Sequence, residues 1–131
     1  MISQTTEYVM RALIYLTLNR GRGSIFAKEI AENARIPKNY LSKLLYELKR
    51  AGFLEADRGK TGGYRLAIEP DKVTLADIVS RFDGSDAYEG CFLKRTKCNE
   101  VNPCAAHNRW RPIANQITSF MEKTTLAELA V

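Results

Sequence analysis

Residues 36–68 decide the fold of this chain, and they read IPKNYLSKLLYELKR (36–50) followed by AGFLEADRGKTGGYRLAI (51–68). In the first part the leucines recur at helical spacing and form one apolar stripe. Pro37 suits the first turn of this helix, because its fixed φ and missing N–H cost nothing there. The second part contains two β-prone runs joined by a glycine-rich turn, which predicts a β-hairpin.

Two further helices, the second of them short, are predicted ahead of this stretch. Residues 6–19 carry apolar side chains at helical spacing and are followed by Gly21 and Gly23, which end the helix. Residues 27–33 predict a second helix with Ile30 facing inward. The order helix, helix, helix, hairpin predicts a winged helix-turn-helix, a mostly α fold with a small β-hairpin wing.

The excess positive charge of the chain lies in this predicted unit. The net charge is +5, and residues 35–65 hold eight basic and three acidic side chains, 8 − 3 = +5. The rest of the chain balances at twelve basic against twelve acidic residues. A local concentration of this kind is what a phosphate-facing surface requires, so double-stranded DNA is the expected partner.

The predicted DNA contacts lie at the start of the third helix and at the tip of the wing. Side chains near the N-terminal end of a recognition helix reach base edges, while long cations on a flexible wing suit the minor groove or the backbone. Asn39 could pair with adenine and Lys43 with guanine. The complete expected set is Lys38, Asn39, Tyr40, Ser42, Lys43, Arg58 and Lys60.

The C-terminal half combines helices with a long connection. Thr74 followed by Asp77 predicts a capped helix that ends near residue 82, and residues 84–102 show no periodicity. Asn102-Pro103 predicts a new helix from Pro103, with Pro112 either kinking it or forcing a restart near residue 111. Its amphipathic pattern predicts a two-fold dimer, and Thr125 with Glu128 predicts one more short helix.

Every cysteine and the single histidine fall within 17 residues, as Cys91, Cys98, Cys104 and His107. Thiolate and imidazole are soft ligands that bind zinc or iron–sulfur clusters. The tight C-x2-4-C spacing of structural zinc sites is absent, which favours a cluster. Zinc, redox-active thiols and a purely structural role stay open from spacing alone.

Other classes of protein are disfavoured by the sequence. No apolar run approaches the length of a membrane span, and the N-terminus lacks the pattern of a secretory signal, so we expect a cytoplasmic protein with reduced thiols. No catalytic residues are predicted, because no carboxylate pair or nucleophile–base pair is visible. The glycine-rich turn lacks the strand-loop-helix order of a nucleotide site.

Over nearly its whole length the chain resembles the IscR/NsrR family of winged-helix transcription regulators. The resemblance is carried by TEYVMRAL (6–13), IPKNYL (36–41), RGKTGGY (58–64), CAAHNRW (104–110) and TLAEL (125–129), together with the three cysteines. It implies a homodimer on a partly palindromic operator. It also implies one iron–sulfur cluster per subunit, 2Fe–2S or 4Fe–4S, on Cys91, Cys98 and Cys104.

The fourth ligand is open at this point. His107 matches the ligand of the iron–sulfur-biogenesis regulators, and Glu7 occupies the position where nitric-oxide-responsive members supply an aspartate from the other subunit. This chain also has six residues between the first two cysteines where many cluster-binding members have five.

The expected organisation is a DNA-binding domain in residues 1–83, a cluster loop in residues 84–103, and dimerisation and C-terminal helices in residues 104–131. The expected function is cluster-dependent transcription regulation in response to nitric oxide, redox state or iron–sulfur status. A clusterless thiol-redox regulator and a zinc-stabilised winged-helix protein are the alternatives.

Overall fold

A computed structural model describes residues 2–60, 62–84 and 88–131. The described residues form six α-helices and one two-stranded antiparallel sheet: α1 Gln4–Leu18, α2 Ala27–Ala34, α3 Lys38–Arg50, β1 Leu54–Asp57, β2 Gly63–Leu66, α4 Leu75–Asp83, α5 His107–Lys123 and α6 Leu126–Leu129. Short 3-10 turns span Arg20–Arg22 and Pro70–Lys72. Met1, Thr61 of the predicted wing turn and residues 85–87 of the predicted loop lie outside the described residues.

The predicted helix-turn-helix is confirmed, and its core is the apolar stripe of α3 packed on α1 and α2. Leu41, Leu45 and Leu48 are fully buried and share one cluster with side chains of α1 and α2. Pro37 is the N-cap of α3 rather than its first residue, with φ −55° and ψ 128°. The opposite side of α3 is therefore free to meet a partner.

The wing is an antiparallel hairpin that pairs with Ile25, in the segment just before α2. Leu54 pairs with Leu66 at the base, and Asp57 pairs with Gly63 near the tip. Tyr64 also exchanges two backbone hydrogen bonds with Ile25, at 2.8 and 2.9 Å. Gly63 has φ +129°, and a Cβ there would lie 2.3 Å from the Ile25 carbonyl oxygen. Only glycine allows this close approach.

The C-terminal segment returns to the winged-helix core. The predicted capping boxes of Thr74 with Asp77 and of Thr125 with Glu128 are both formed, and they begin α4 and α6. Thr74 and Thr125 form a β-bridge, and Leu126 is fully buried in the same cluster as α1 and α3. A second cluster joins α4 to α5 through Leu75, Val79, Tyr88 and Met121.

The predicted start of the long helix at Pro103 is wrong. α5 begins at His107 with Ala106 as its N-cap, so Cys104 lies in a turn before the helix. The His107 N–H donates to the Cys104 carbonyl, three residues back, at 3.1 Å, so residues 104–107 form a tight turn instead of the first turn of an α-helix. Pro112 lies inside α5, and the helix continues through it to Lys123 without a restart near residue 111.

Among the helices formed by the described residues, none combines the length and the apolar character that crossing a bilayer requires.

Candidate metal centre and DNA-binding surface

The three cysteines converge, although the first and the last are 13 positions apart in the sequence. Their Sγ atoms all lie within 4.8 Å of one another, and Cys91 Sγ is 3.5 Å from Cys104 Sγ. Cys104 is buried in the turn before α5, while Cys91 and Cys98 are partly exposed on the loop. The loop therefore places two accessible thiols over one that is anchored.

The two candidates for a fourth ligand are in different surroundings. His107, the first residue of α5, has Nδ1 3.4 Å from Cys98 Sγ. The Glu7 carboxylate lies on α1 and forms an exposed ion pair with Arg11 one turn along the same helix. Within one chain, the imidazole is beside the thiols and the carboxylate is engaged elsewhere.

The local backbone favours the thiolate form of Cys91. The N–H of Arg95 donates to its sulfur, with further donation from the Cys104 thiol and from the N–H of Leu93, and these bonds lower the pKa of Cys91 to about 7. For Cys98, a bond from the Cys104 backbone opposes the change, but burial and the two neighbouring thiols outweigh it and raise its pKa. Thiolate is the form that binds metals, so the turn after Cys91 makes this side chain suitable as a metal ligand.

Trp110 holds the loop in place, a role that sequence reasoning missed. Its indole Nε1 donates to the Gly90 carbonyl at 3.0 Å, and its ring lies 5.4 Å from that of Phe92. In the sequence, Trp110 is simply one of the apolar residues in the amphipathic pattern that predicts the long helix. Its position in the motif CAAHNRW, next to the last candidate ligands, was the signal available.

The donor set fits a thiophilic metal group. Four ligands of one tetrahedral ion at about 2.3 Å stand roughly 3.8 Å apart, close to the separations of the Cys91–Cys104 and Cys98–His107 pairs. The described part of the loop has no helix or strand, so its two cysteines are not bound to a rigid spacing. Such a segment can also supply ligands from separate points, as an iron–sulfur cluster requires.

The predicted recognition residues lie along the exposed side of α3. Lys38, Asn39, Ser42 and Lys43 are all exposed in the first two turns. The Ser42 hydroxyl donates to the Lys38 carbonyl at 3.1 Å, which leaves its oxygen free to accept. Tyr40 is also exposed, at 36%, and its hydroxyl forms a hydrogen bond with that of Thr5 on α1.

The wing carries its free cations at the tip. Arg58 and Lys60 are exposed and form no ion pair with any described residue. Arg65 on β2 is paired with Glu55 and Asp57 on β1, so the hairpin neutralises one of the eight basic residues counted in the sequence. The usable positive charge is at the tip rather than along the strands.

These features define the class: the chain has the fold of winged helix-turn-helix transcription regulators, with a cysteine-rich loop before its longest helix. Comparison with known proteins gives the family. The sequence profile of the Rrf2 family, described as iron-dependent transcriptional regulator, matches residues 2–131, and the chain belongs to this family.

Relatives and solved structures agree with this assignment. A putative HTH-type transcriptional regulator of Aquifex aeolicus is 40% identical over 129 residues, covering 97% of this chain and 89% of that protein. The HTH-type transcriptional regulator IscR of Aliivibrio salmonicida is 32% identical over 125 residues, covering 95% and 74%. The structure of CymR, the global cysteine regulator of B. subtilis, superposes with a TM-score of 0.80 at 29% identity, covering 99% of this chain and 95% of that one.

Proposed function

We propose that this protein is a cytoplasmic, homodimeric transcription regulator whose binding to double-stranded DNA depends on an iron–sulfur cluster. The observation that carries the proposal is the convergence of three cysteine sulfurs within 4.8 Å, on a loop joined to a winged helix. Residues 1–83 would bind DNA, residues 84–103 would hold the cluster, and residues 104–131 would join the subunits.

Cys91, Cys98 and Cys104 would hold the cluster, one per subunit. When bound, the cluster supplies a centre that responds to nitric oxide, redox state or iron–sulfur supply. The protein provides the thiolates and the N–H groups that stabilise them at Cys91. Trp110 keeps the loop on α5 through its bond to Gly90. We propose His107 as the fourth ligand in preference to Glu7, since its ring lies 3.4 Å from the Cys98 sulfur.

The homodimer is supported by the exposed face of α5. Ile113 and Phe120 are each about half exposed, 50% and 53%, and both lie on the same side of the helix as Ile117. Apolar side chains that line up along one helix mark an interaction surface. A second copy would cover them and present two recognition helices to paired half-sites of an operator.

On DNA, the first two turns of α3 would enter the major groove. Asn39 and Lys43 would contact base edges, Lys38 and Ser42 would contact bases or phosphates, and Tyr40 would approach the backbone. At the wing tip, Arg58 and Lys60 would follow the minor groove or the phosphates.

The test is anaerobic purification with analysis of iron, acid-labile sulfide and zinc. We expect a coloured protein with iron and sulfide, and we expect Cys98→Ala to lose both the cluster and its effect on DNA affinity. Thr96→Ala is the matched control, since it removes an exposed side chain from the same loop without removing a ligand. Operator sequences selected from random DNA would provide the binding assay. Unchanged cluster content in Cys98→Ala would contradict the ligand assignment.

One observation favours a second candidate, a clusterless regulator that senses oxidants. Cys91 Sγ and Cys104 Sγ are only 3.5 Å apart, within reach of a disulfide. A colourless protein free of metal, whose DNA affinity changes on thiol oxidation, would support this candidate. A colourless protein with about one zinc per chain would instead support a zinc-stabilised DNA-binding protein.

A further inference from the structure

The metal-bearing loop is tied at its start to the first helix. Asp83, the last residue of α4, accepts two hydrogen bonds from Ser3, one from the backbone N–H at 2.9 Å and one from the hydroxyl at 2.5 Å. Ser3 is the N-cap of α1, because its Oγ also accepts the N–H of Thr6 at 3.1 Å. A displacement of the α4 end therefore acts directly on the beginning of α1.

A second contact joins the same two regions. Tyr88 lies three residues before Cys91 and is buried, at 5% exposure, in the cluster that contains Val79 and Met121. Ile2, next to Ser3 in the chain, packs against this cluster. Two contacts therefore join the loop to the start of α1. Ile2 packs against the cluster that contains Tyr88, and Ser3 donates hydrogen bonds to Asp83 at the end of α4.

The start of α1 in turn contacts the recognition helix. The Thr5 and Tyr40 hydroxyls form a hydrogen bond, and the Tyr8 ring meets the Tyr40 ring edge-on at 5.5 Å. Tyr40 is the third residue of α3, in the turn that carries the predicted base contacts. The first residues of α1 and its N-cap, residues 3–8, therefore contact both Asp83 at the start of the loop and Tyr40 of the recognition helix.

We propose that Ser3 and Asp83 are positioning residues that couple the state of the metal loop to the setting of the recognition helix through Thr5 and Tyr40. The inference rests on the proposed function, and it adds a route within one subunit. When the loop rearranges, the Ser3–Asp83 bonds shift the start of α1, and the Thr5–Tyr40 bond carries that shift to α3.

Because the Ser3–Asp83 pair is exposed, a structural role of this pair can be distinguished from a positioning role. Both bonds lie at the surface, where their loss removes little buried area. A purely structural role would change the unfolding midpoint and affect the loaded and the metal-free protein equally. A positioning role changes the ratio of their DNA affinities.

The experiment compares full-length wild type with Asp83→Ala, Asp83→Asn and the control Asp71→Ala. Asp71 is an exposed acid whose side chain forms no hydrogen bond or ion pair with the described residues. Each protein is reconstituted with its cluster, and operator affinity is measured by fluorescence anisotropy in the loaded and the metal-free form. Iron content and the thermal unfolding midpoint are recorded for every preparation.

Allosteric factors are typically about 5- to 150-fold, and we expect Asp83→Ala to bring the wild-type ratio close to one. Asp83→Asn keeps an amide that can accept from and donate to Ser3, so it should restore part of the ratio, and Asp71→Ala should leave it unchanged. Thr5→Val removes the other end of the route. If both act in one path, the double variant should lose no more coupling than the stronger single variant.

A wild-type ratio retained in Asp83→Ala, at full iron content, would overturn the inference while leaving the proposed function intact. Strict additivity of Asp83→Ala and Thr5→Val would also overturn it. Failure of the proposed function gives a different result, because wild type would then contain no iron or sulfide, or would bind DNA equally well in both forms.

Discussion

Gly63→Ala tests how firmly the wing is attached, and the structure allows its effect to be separated into two contributions. Adding a Cβ to a residue whose backbone has a positive φ destabilises the folded state by about 1–2 kcal/mol. At Gly63, where φ is +129°, the new Cβ would also lie 2.3 Å from the Ile25 carbonyl oxygen and 2.8 Å from the Phe26 nitrogen. Backbone atoms cannot yield as a side chain can, so the strand must move away from Ile25.

That movement breaks the two hydrogen bonds between Ile25 and Tyr64. At about 1 kcal/mol net for each bond, the additional loss is about 2 kcal/mol, and the total is about 3–4 kcal/mol. Gly59→Ala is the matched control, because Gly59 has φ +92° but no atom of the described residues lies within 4 Å of its Cβ position. It should lose only the first contribution, about 1–2 kcal/mol.

Equilibrium urea unfolding at a fixed protein concentration, followed by far-UV circular dichroism, measures both variants. Gly63→Ala should also weaken DNA binding more than Gly59→Ala does, since the wing that carries Lys60 would lose its anchor. If the two variants are destabilised equally, to within about 0.5 kcal/mol, the contact between the wing and Ile25 does not contribute the additional stability of about 2 kcal/mol expected here.

Two further predictions concern charge. Bonds from Arg22 first, and then from Tyr15, lower the pKa of Glu29 from 4.5 to about 2, so its stabilising contribution is present above pH 4.5 and is lost as the pH falls towards 2. The difference in unfolding free energy between wild type and Glu29→Gln should therefore shrink over that interval, and a constant difference would contradict the assignment. Arg58→Ala should weaken binding to all DNA sequences alike. It should also make the fall of log affinity with log salt concentration shallower, by about 0.9 in slope. A changed sequence preference would show that Arg58 contacts bases instead.

The parts of the fold that could be predicted from sequence are those set by neighbouring residues. The capping boxes at Thr74 and Thr125 and the leucine stripe of α3 depend on spacings of three and four residues, and all three are formed. The charge state of the wing needed the structure. Arg65 is neutralised by Glu55 and Asp57 because of the register between β1 and β2, which a count of charges in the sequence does not reveal.

The start of α5 could not be predicted in this way. Asn102-Pro103 is a sound local signal for a helix N-terminus, but residues 104–107 form a separate tight turn, in which the His107 N–H donates to the Cys104 carbonyl. The position of the loop also depends on Trp110 and Gly90, which are 20 residues apart. Spacing indicated that the cysteines belong together, whereas the pairing of Cys91 with Cys104 and of Cys98 with His107 depends on the three-dimensional arrangement.

The burial of Leu126 among α1 and α3 has a consequence for the order of events during synthesis. This side chain is fully enclosed by residues that leave the ribosome much earlier, and Thr125 bridges back to Thr74. Because this core includes Leu126, its packing is completed only after residues 91–104, which carry all three cysteines, have been made. A nascent chain therefore completes the packing around its recognition helix only after the cysteine-bearing loop has been made.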